Sequence, residues 1–307
     1  MAHTDPDIHA LRDRLTTTVL GSDSAADFII IALLASGHIL IEGAPGVGKT
    51  SMAHTLARSI GGDFKRVQFT PDLLPADLLG YSLYRMDCGE FEFIPGPVFA
   101  NCLLVDEINR TSPRVQSALL ECMNEGRVTL DGVTHSLPQP FIVIATQNEL
   151  DHRGTFPLPE AQLDRFLLSI RMGLPNAGVQ EDILLGHAAG KIDAMGEVSQ
   201  LISAERVRDL QKEVRDIPIH LRVAHYIVDL CENLRRQAGS DHAVSVRASL
   251  AVMEAARAAA FVEGAAAVHP DHVQHVFTAV LAHRLVPIDG SDATDMIKEV
   301  QQSVDVP

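Results

Sequence analysis

Apolar and polar positions follow two different patterns along the chain, and the change comes near residue 175. Before that point, short apolar runs typical of buried strands alternate with segments of helical periodicity. The pattern predicts strands at 38–42, 66–69, 102–106, 141–145 and 167–171, with helices at 49–60 and 113–124. Because strands that alternate with helices form parallel sheets, we expect residues 1–175 to form an α/β domain with a parallel sheet flanked by helices.

Strand patterns are absent after Pro175, and apolar residues recur there at three- and four-residue spacing. Ser203 is a good N-cap for one helix, and an amphipathic stretch follows at 220–237. An alanine-rich helix is predicted at 247–263, and Pro270 is expected to open a final helix. Residues 176–307 are therefore predicted to form a separate, all-α domain.

Two short hairpins interrupt the predicted α/β domain. Residues 80–97 contain two alternating segments around a glycine turn, and residues 127–136 contain two more around Asp131-Gly132, a strong hairpin signal. Such hairpins either decorate the edge of a domain or grip a ligand, and the pattern leaves both interpretations open.

Composition and charge narrow the class of protein. The 307 residues carry a formal net charge of -15, which disfavours nonspecific binding to nucleic acid. The basic pairs Lys65-Arg66 and Arg235-Arg236 are expected to be solvated surface. The apolar runs are too short to span a bilayer, the N-terminus lacks a signal-peptide pattern, and the four cysteines show no close metal-binding spacing. These features favour a cytoplasmic protein with free thiols.

A glycine-rich loop follows the first predicted strand and leads into a helix. It has the pattern G-x-x-x-x-G-K-T and consists of Gly43, Ala44, Pro45, Gly46, Val47, Gly48, Lys49 and Thr50, with Ser51 next to it. Backbone N–H groups of such a loop surround phosphates, the lysine reaches the outer phosphates, and the threonine hydroxyl can bind Mg²⁺. The loop predicts a nucleotide site, but kinases, GTPases, motors and switches all use it.

Polar residues end two of the other predicted strands. Asp106 and Glu107 follow the apolar run at 102–105, so Asp106 can hold Mg²⁺ and Glu107 can polarise a water molecule. This pair favours hydrolysis over transfer to a small acceptor. Asn148 follows the strand at 141–145 and can orient the same water, because parallel strands end at one edge of the sheet.

Several blocks together resemble the MoxR family of AAA+ ATPases, from about residue 12 to 285. They are the loop at 43–50, Gln-Phe-Thr-Pro-Asp-Leu-Leu-Pro-Ala-Asp at 68–77, Pro-Gly-Pro-Val-Phe-Ala-Asn at 95–101, Asp-Glu-Ile-Asn-Arg at 106–110, Ala-Thr-Gln-Asn at 145–148 and Pro-Leu-Pro-Glu-Ala-Gln-Leu-Asp-Arg-Phe at 157–166. The resemblance implies Mg²⁺-dependent ATP hydrolysis in a hexameric ring, with ATP between subunits. It also implies chaperone-like remodelling of a protein client, often with a von Willebrand factor A domain partner.

The resemblance further implies roles for three residues that the pattern alone cannot rank. Asn148 corresponds to sensor 1, Arg165 to the arginine finger given to a neighbouring subunit, and Arg247 to sensor 2 in the helical lid. From the sequence pattern alone, each of the two arginines would be interpreted as forming a surface ion pair. The hairpins at 80–97 and 127–136 correspond to the helix 2 insert and the pre-sensor 1 insert, which face the pore of a ring.

This chain departs from the family pattern at three places. Val19-Leu20-Gly21-Ser22 lacks the usual glutamine near the adenine, so the sequence leaves the base contacts open. Ser245-Val246 stands where Ser-Pro is usual, which predicts a different start of the lid helix. Arg153 lies in a loop where an acid is usual and competes with Arg165 as the phosphate-reaching arginine.

Two alternatives to the remodelling ATPase belong to other classes. A chelatase-type subunit that aids metal insertion would require a large partner, and a nucleic-acid motor is disfavoured by the acidic charge. An ATP-binding switch without turnover is disfavoured by Glu107. One cluster lies outside the family pattern: His269, His272, His275 and His283, which we interpret as solvated helix residues rather than a metal site.

Overall fold

The computed structural model of the protein describes residues 5–43, 46–147, 155–189, 199–239, 244–285 and 292–307. The strands in these ranges are β1 (Ile39–Glu42), β2 (Phe64–Gln68), β3 (Gly80–Arg85), β4 (Glu90–Pro95), β5 (Cys102–Asp106), β6 (Arg127–Leu130), β7 (Val133–Ser136), β8 (Ile142–Gln147) and β9 (Leu168–Arg171). The α-helices are α1 (Pro6–Thr18), α2 (Asp23–Leu34), α3 (Lys49–Ser59), α4 (Pro75–Leu79), α5 (Pro113–Glu125), α6 (Glu160–Leu163), α7 (Ala177–Ala188), α8 (Ala204–Arg215), α9 (Leu221–Ala238), α10 (Val246–Val262), α11 (Pro270–Leu281) and α12 (Ala293–Ser303).

Five strands form one parallel sheet in the order β2-β5-β8-β1-β9. The predicted parallel α/β fold is therefore confirmed, and each predicted strand matches an observed one to within about two residues. Because all five strands run in the same direction, their carboxyl ends share one edge. The last residues of β1, β5 and β8 therefore lie at that edge.

Two apolar clusters cover the two faces of the sheet, and the inner strands β1, β5 and β8 are buried at nearly every position because they contribute to both. Ile39 and Ile41 of β1 face the cluster that also contains α1, α2, α3 and most of the C-terminal helices, whereas Leu40 faces the cluster that contains α5. The first cluster thus joins helices from both ends of the chain to one face of the sheet.

The C-terminal helices agree with the predicted pattern, with one correction. Helices α9, α10 and α11 lie where the periodicity places them, and Ser203 and Ser245 cap α8 and α10 through their side-chain oxygens. Helix α11 is not the final helix, because α12 follows it and packs on α9 and α11. The boundary at residue 175 between two domains remains a prediction.

The two predicted hairpins are present as β3–β4 and β6–β7, and they contact each other. Ser82 Oγ donates a hydrogen bond to Asp131 Oδ2 at 2.7 Å, and the rings of Phe93 and His135 stack with centroids 4.0 Å apart. These contacts tie the two hairpins into one surface feature beside the sheet.

Two further predictions, about membrane spans and about thiols, can be compared with the structure. Within the described ranges, the helices are too short or too polar to cross a bilayer. Cys88, Cys102, Cys122 and Cys231 are all free, as the sequence predicts.

Candidate functional site

The loop between β1 and α3 forms one wall of the site. Gly48 caps α3 with φ at 90°, a conformation that glycine adopts without strain. A Cβ atom at this position would lie 2.5 Å from Val19 Cγ1, so the close approach of Val19 also requires glycine. Lys49 Nζ donates a hydrogen bond to the carbonyl oxygen of Gly43 at 2.9 Å. Ala44 and Pro45 of the predicted loop lie outside the described residues.

Asp106 and Glu107 lie opposite this loop, where β5 ends. The Asp106 side chain is only 11% exposed, and its Oδ2 accepts a hydrogen bond from Arg66 Nε at 2.6 Å. Glu107 adopts φ 57°, in the left-handed region, and this backbone turn directs the chain away from the strand. Its backbone N–H donates to Thr146 Oγ1 at 3.0 Å, which fixes the turn against the end of β8.

The Glu107 carboxylate is held by two donors from different elements. Gln68 Nε2 donates to Glu107 Oε2 at 3.1 Å from the end of β2, and Arg110 Nε lies 3.0 Å from the same oxygen. A carboxylate held in this way has a fixed position, which suits a group that must accept a proton from water.

A polar cavity of about 350 Å³ lies between the loop and the acids. Its lining includes Lys49, Thr50, Asp106, Glu107 and Thr146, so it brings together the predicted lysine, hydroxyl and two carboxylates. Burial lowers the pKa of the Lys49 ammonium, while the charges of Asp106 and Glu107 oppose this shift. The cavity therefore combines groups that bind phosphate with oxygen donors that suit Mg²⁺.

A second cavity of about 310 Å³ adjoins the first, and we call it the apolar cavity for the aliphatic side chains that distinguish it: Val19, Leu20, Val47, Ile170, Met172 and Ile183. The rest of its lining includes several hydroxyl groups and Arg171. Gly46, Gly48 and Ser51 line both cavities, so the glycine-rich loop lies between them. The wall of the apolar cavity comes from three parts of the chain: 18–25, 46–51 and 170–183. Its size and its mixture of aliphatic side chains with hydroxyl groups suit a purine base, and it includes the four residues Val19, Leu20, Gly21 and Ser22, where the sequence left the base contacts open.

The remaining predicted residues lie away from both cavities or outside the described ranges. Arg165 NH1 donates to the carbonyl oxygen of Leu120 at 2.8 Å, and the exposed Arg247 lies in the first turn of α10. In the described part of the chain, the lining of the two cavities includes neither arginine. Asn148 and Arg153 lie outside the described residues.

Arg66 and Gln68 are site residues that the sequence analysis missed. Lys65-Arg66 was expected to be solvated surface, and both residues are exposed, but Arg66 also lines the polar cavity, which was not predicted. Alternate residues of a strand point to the same face, so Arg66 and Gln68 project together toward the acids of the neighbouring strand β5. The proximity of Arg66 and Gln68 to the acids can be recognised only once β2 is known to pair with β5.

The histidine cluster is partly buried and holds its neighbours by hydrogen bonds. His272 Nε2 lies 3.1 Å from Glu263 Oε2, and His283 Nε2 lies 3.1 Å from the carbonyl oxygen of Phe166. The expectation of solvated histidines is thus wrong for His272 and His283, because tertiary packing buries both. Among the described residues, no group of histidine, cysteine and acidic side chains is arranged to hold a metal ion.

Comparisons with known families agree with this geometry. A family model described as "ATPase family associated with various cellular activities (AAA)" matches residues 38–168. A second one, described as "AAA lid domain", matches residues 233–304. The two matches cover the strands that carry the site and the C-terminal helices.

Individual proteins are similar over nearly the whole chain. The protein YeaC from Bacillus subtilis (strain 168) is 43% identical and covers 98% of this chain and 96% of its own. The protein "Chaperone MoxR1" from Mycobacterium tuberculosis is 40% identical and covers 92% of this chain and 76% of its own. A crystal structure of a protein from Cytophaga hutchinsonii has a TM-score of 0.87 at 33% identity, covering 98% of this chain and 95% of that one.

Proposed function

The chain belongs to the MoxR family of AAA+ ATPases, and we propose that it uses ATP hydrolysis to remodel protein clients as a chaperone-like machine. One observation carries the nucleotide part of the proposal: the apolar and polar cavities adjoin across the glycine-rich loop. A nucleoside triphosphate needs this arrangement, with an apolar site for its base and a charged site for its phosphates.

In this proposal, ATP binds with its base in the apolar cavity and its phosphates in the polar cavity. Lys49 exchanges its hydrogen bond to Gly43 for the outer phosphates. Thr50 and Asp106 would hold Mg²⁺, because both line the polar cavity and their hydroxyl and carboxylate groups are oxygen donors. When bound, the ion would neutralise phosphate charge and orient the γ-phosphate.

Glu107 is the group that we assign to water activation. Its carboxylate accepts a proton from water as the water oxygen bonds to the γ-phosphorus, while the bond from that phosphorus to the β–γ bridging oxygen breaks. The products are ADP and phosphate. Gln68 and Arg110 support this role by holding Glu107 Oε2 in place. Asn148 is proposed to orient the same water.

We assign Arg165 to the completion of the site of a neighbouring subunit, and Arg247, as the sensor 2 residue, to the completion of the site from the helical lid of its own chain. Arg165 binds the carbonyl oxygen of Leu120 and is absent from the described lining of both cavities of its own chain, which supports action on a neighbouring subunit. A guanidinium supplied in this way stabilises the charge that develops on the transferred phosphoryl group. The assembly we propose is a hexameric ring, as the family resemblance implies, in which hydrolysis depends on contact between subunits.

The joined hairpins are the part of the chain that we assign to client contact. Tyr84, Met86 and Phe91 near the tip of β3–β4 are 50%, 92% and 73% exposed, which is unusual for large apolar side chains in one place. Such a surface suits apolar segments of an incompletely folded protein. The relative named as a chaperone supports this assignment over metal insertion or movement along nucleic acid.

The proposed partners are a protein client and a von Willebrand factor A domain protein, in the cytoplasm. The family resemblance supports both partners, and the four free thiols support a reducing compartment.

A trapping experiment tests the proposal. The Glu107→Gln protein should bind ATP without hydrolysing it, so a pull-down from the source cell in Mg-ATP should retain a specific client. Adding Phe91→Ser to this variant should release the client, whereas Leu221→Ser, at a position 66% exposed on α9, should not. If the trapped protein retains the same proteins with and without ATP, the remodelling proposal is wrong.

A further inference from the structure

Arg66 lies in the polar cavity and binds the carboxylate that the metal ion would need. Its Nε donates to Asp106 Oδ2 at 2.6 Å, and the two residues come from neighbouring parallel strands. The Asp106 side chain is 11% exposed and that of Arg66 is 51% exposed. The arginine therefore has room to move, whereas the carboxylate does not.

The contact between Arg66 and Asp106 affects the balance of charge in the polar cavity. The described lining contains two cations, Lys49 and Arg66, and two anions, Asp106 and Glu107. Removing Arg66 would leave an uncompensated negative charge where the phosphates bind. Bringing a divalent cation to Asp106 would place it beside a guanidinium, and like charges at such distances repel.

We propose that Arg66 is the resident counter-ion of Asp106 and competes with Mg²⁺ for it. In the metal-free site, Arg66 neutralises Asp106 and lets the phosphates bind beside it. On binding Mg²⁺, Asp106 would give up its contact with Arg66, and the half-exposed Arg66 side chain would turn toward solvent. Arg66 is thus a positioning residue that sets how strongly nucleotide binding depends on the metal. The inference rests on the proposed function, because it takes Asp106 as a metal ligand.

Equilibrium binding of a fluorescent ATP analogue to the full-length protein tests the inference. Affinity is measured in EDTA and in saturating Mg²⁺, and free Mg²⁺ is then titrated into the protein–analogue complex. Arg66→Gln is the test variant. Lys65→Gln is the matched control, since it removes the same charge from the adjacent position, whose side chain points to the other face of β2.

In Arg66→Gln, we expect metal-free affinity to fall about tenfold and the half-saturating Mg²⁺ concentration also to fall about tenfold, from the loss of one nearby cation. Lys65→Gln should match the wild type in both measurements. In an Asp106→Asn background, adding Arg66→Gln should change the half-saturating Mg²⁺ concentration much less than tenfold, because the carboxylate for which Arg66 and Mg²⁺ compete is gone.

Two results would overturn the inference. One is an unchanged ratio of affinities with and without Mg²⁺ in Arg66→Gln, whether or not overall affinity falls. The other is an equal response of Arg66→Gln and Lys65→Gln. In either case the wild type still binds the analogue, so the proposed function stands. Failure of the wild type to bind it in either condition would overturn both.

Discussion

Substitution of Asp164 tests how the C-terminal helices are fixed to the sheet. The Arg284 side chain, just after α11, is 4% exposed, and its Nε donates to Asp164 Oδ1 at 2.9 Å. Its NH2 donates to the carbonyl oxygen of Phe166 at 2.6 Å. Asp164 precedes Arg165, so this ion pair joins the helical region directly to the segment that carries the proposed trans-acting arginine.

The expected cost follows from the burial of the pair. Burial lowers the pKa of the Arg284 guanidinium, and the charge of Asp164 opposes that shift, so the charged arginine depends on its partner. Removing one member of a buried pair typically costs about 3–5 kcal/mol. Because Asp164 is 22% exposed, we place Asp164→Asn near the lower end, at about 3 kcal/mol of unfolding free energy.

Arg284→Met should cost more than Asp164→Asn. It leaves the carboxylate unpaired and also removes the donor that Phe166, Leu167 and Val280 share through their carbonyl oxygens. The double variant should cost clearly less than the sum of the single variants, since both disrupt one interaction.

The assay is urea unfolding of each variant at neutral pH, followed by far-UV circular dichroism. Asp229→Asn on the exposed face of α9 is the control, and it should unfold like the wild type. A loss below about 1 kcal/mol for Asp164→Asn, the range of a surface pair, would refute the reasoning.

The remaining predictions concern pH and subunit contact. Burial lowers the pKa of His38 to about 4 and that of His283 to about 3, so the unfolded chain binds protons at a higher pH than the folded protein does. The free energy of unfolding should therefore be constant above about pH 6.5. As the pH decreases to 4, it should fall by about 3 kcal/mol for His38 alone. Urea midpoints between pH 4 and 8 measure this, and midpoints that do not change would contradict it. If Arg165 acts on a neighbour, mixing inactive Arg165→Ala with inactive Lys49→Ala should restore part of the ATPase activity, because mixed rings contain an intact loop beside an intact arginine. Phosphate release from the mixture measures this, and no recovery would contradict action between subunits.

The sequence predicts the parts of this protein that depend on local pattern. The five strands of the sheet, helices α3 and α5, the two hairpins and the cluster of Lys49, Thr50, Asp106 and Glu107 all follow from periodicity, turn residues and the rule that parallel strands end at one edge. These features need no knowledge of which strands are neighbours.

The parts that were missed depend on contacts between distant segments. Arg66 was taken for a solvated residue because its role appears only when β2 lies beside β5. The burial of His283 requires the segment around Phe166 to pack against the end of α11. The apolar cavity combines residues 18–25 with 170–183, and no local pattern relates two stretches so far apart in the chain.

The most direct test of the central claim is the rate of phosphate release at saturating Mg-ATP, with ATP binding measured in parallel. For Glu107→Gln, we expect at least about a hundredfold loss of hydrolysis with ATP binding retained, because the amide cannot accept the proton from water. Glu125→Gln, at the 41% exposed side chain that ends α5, should hydrolyse ATP like the wild type. Hydrolysis by Glu107→Gln at close to the wild-type rate would contradict the account.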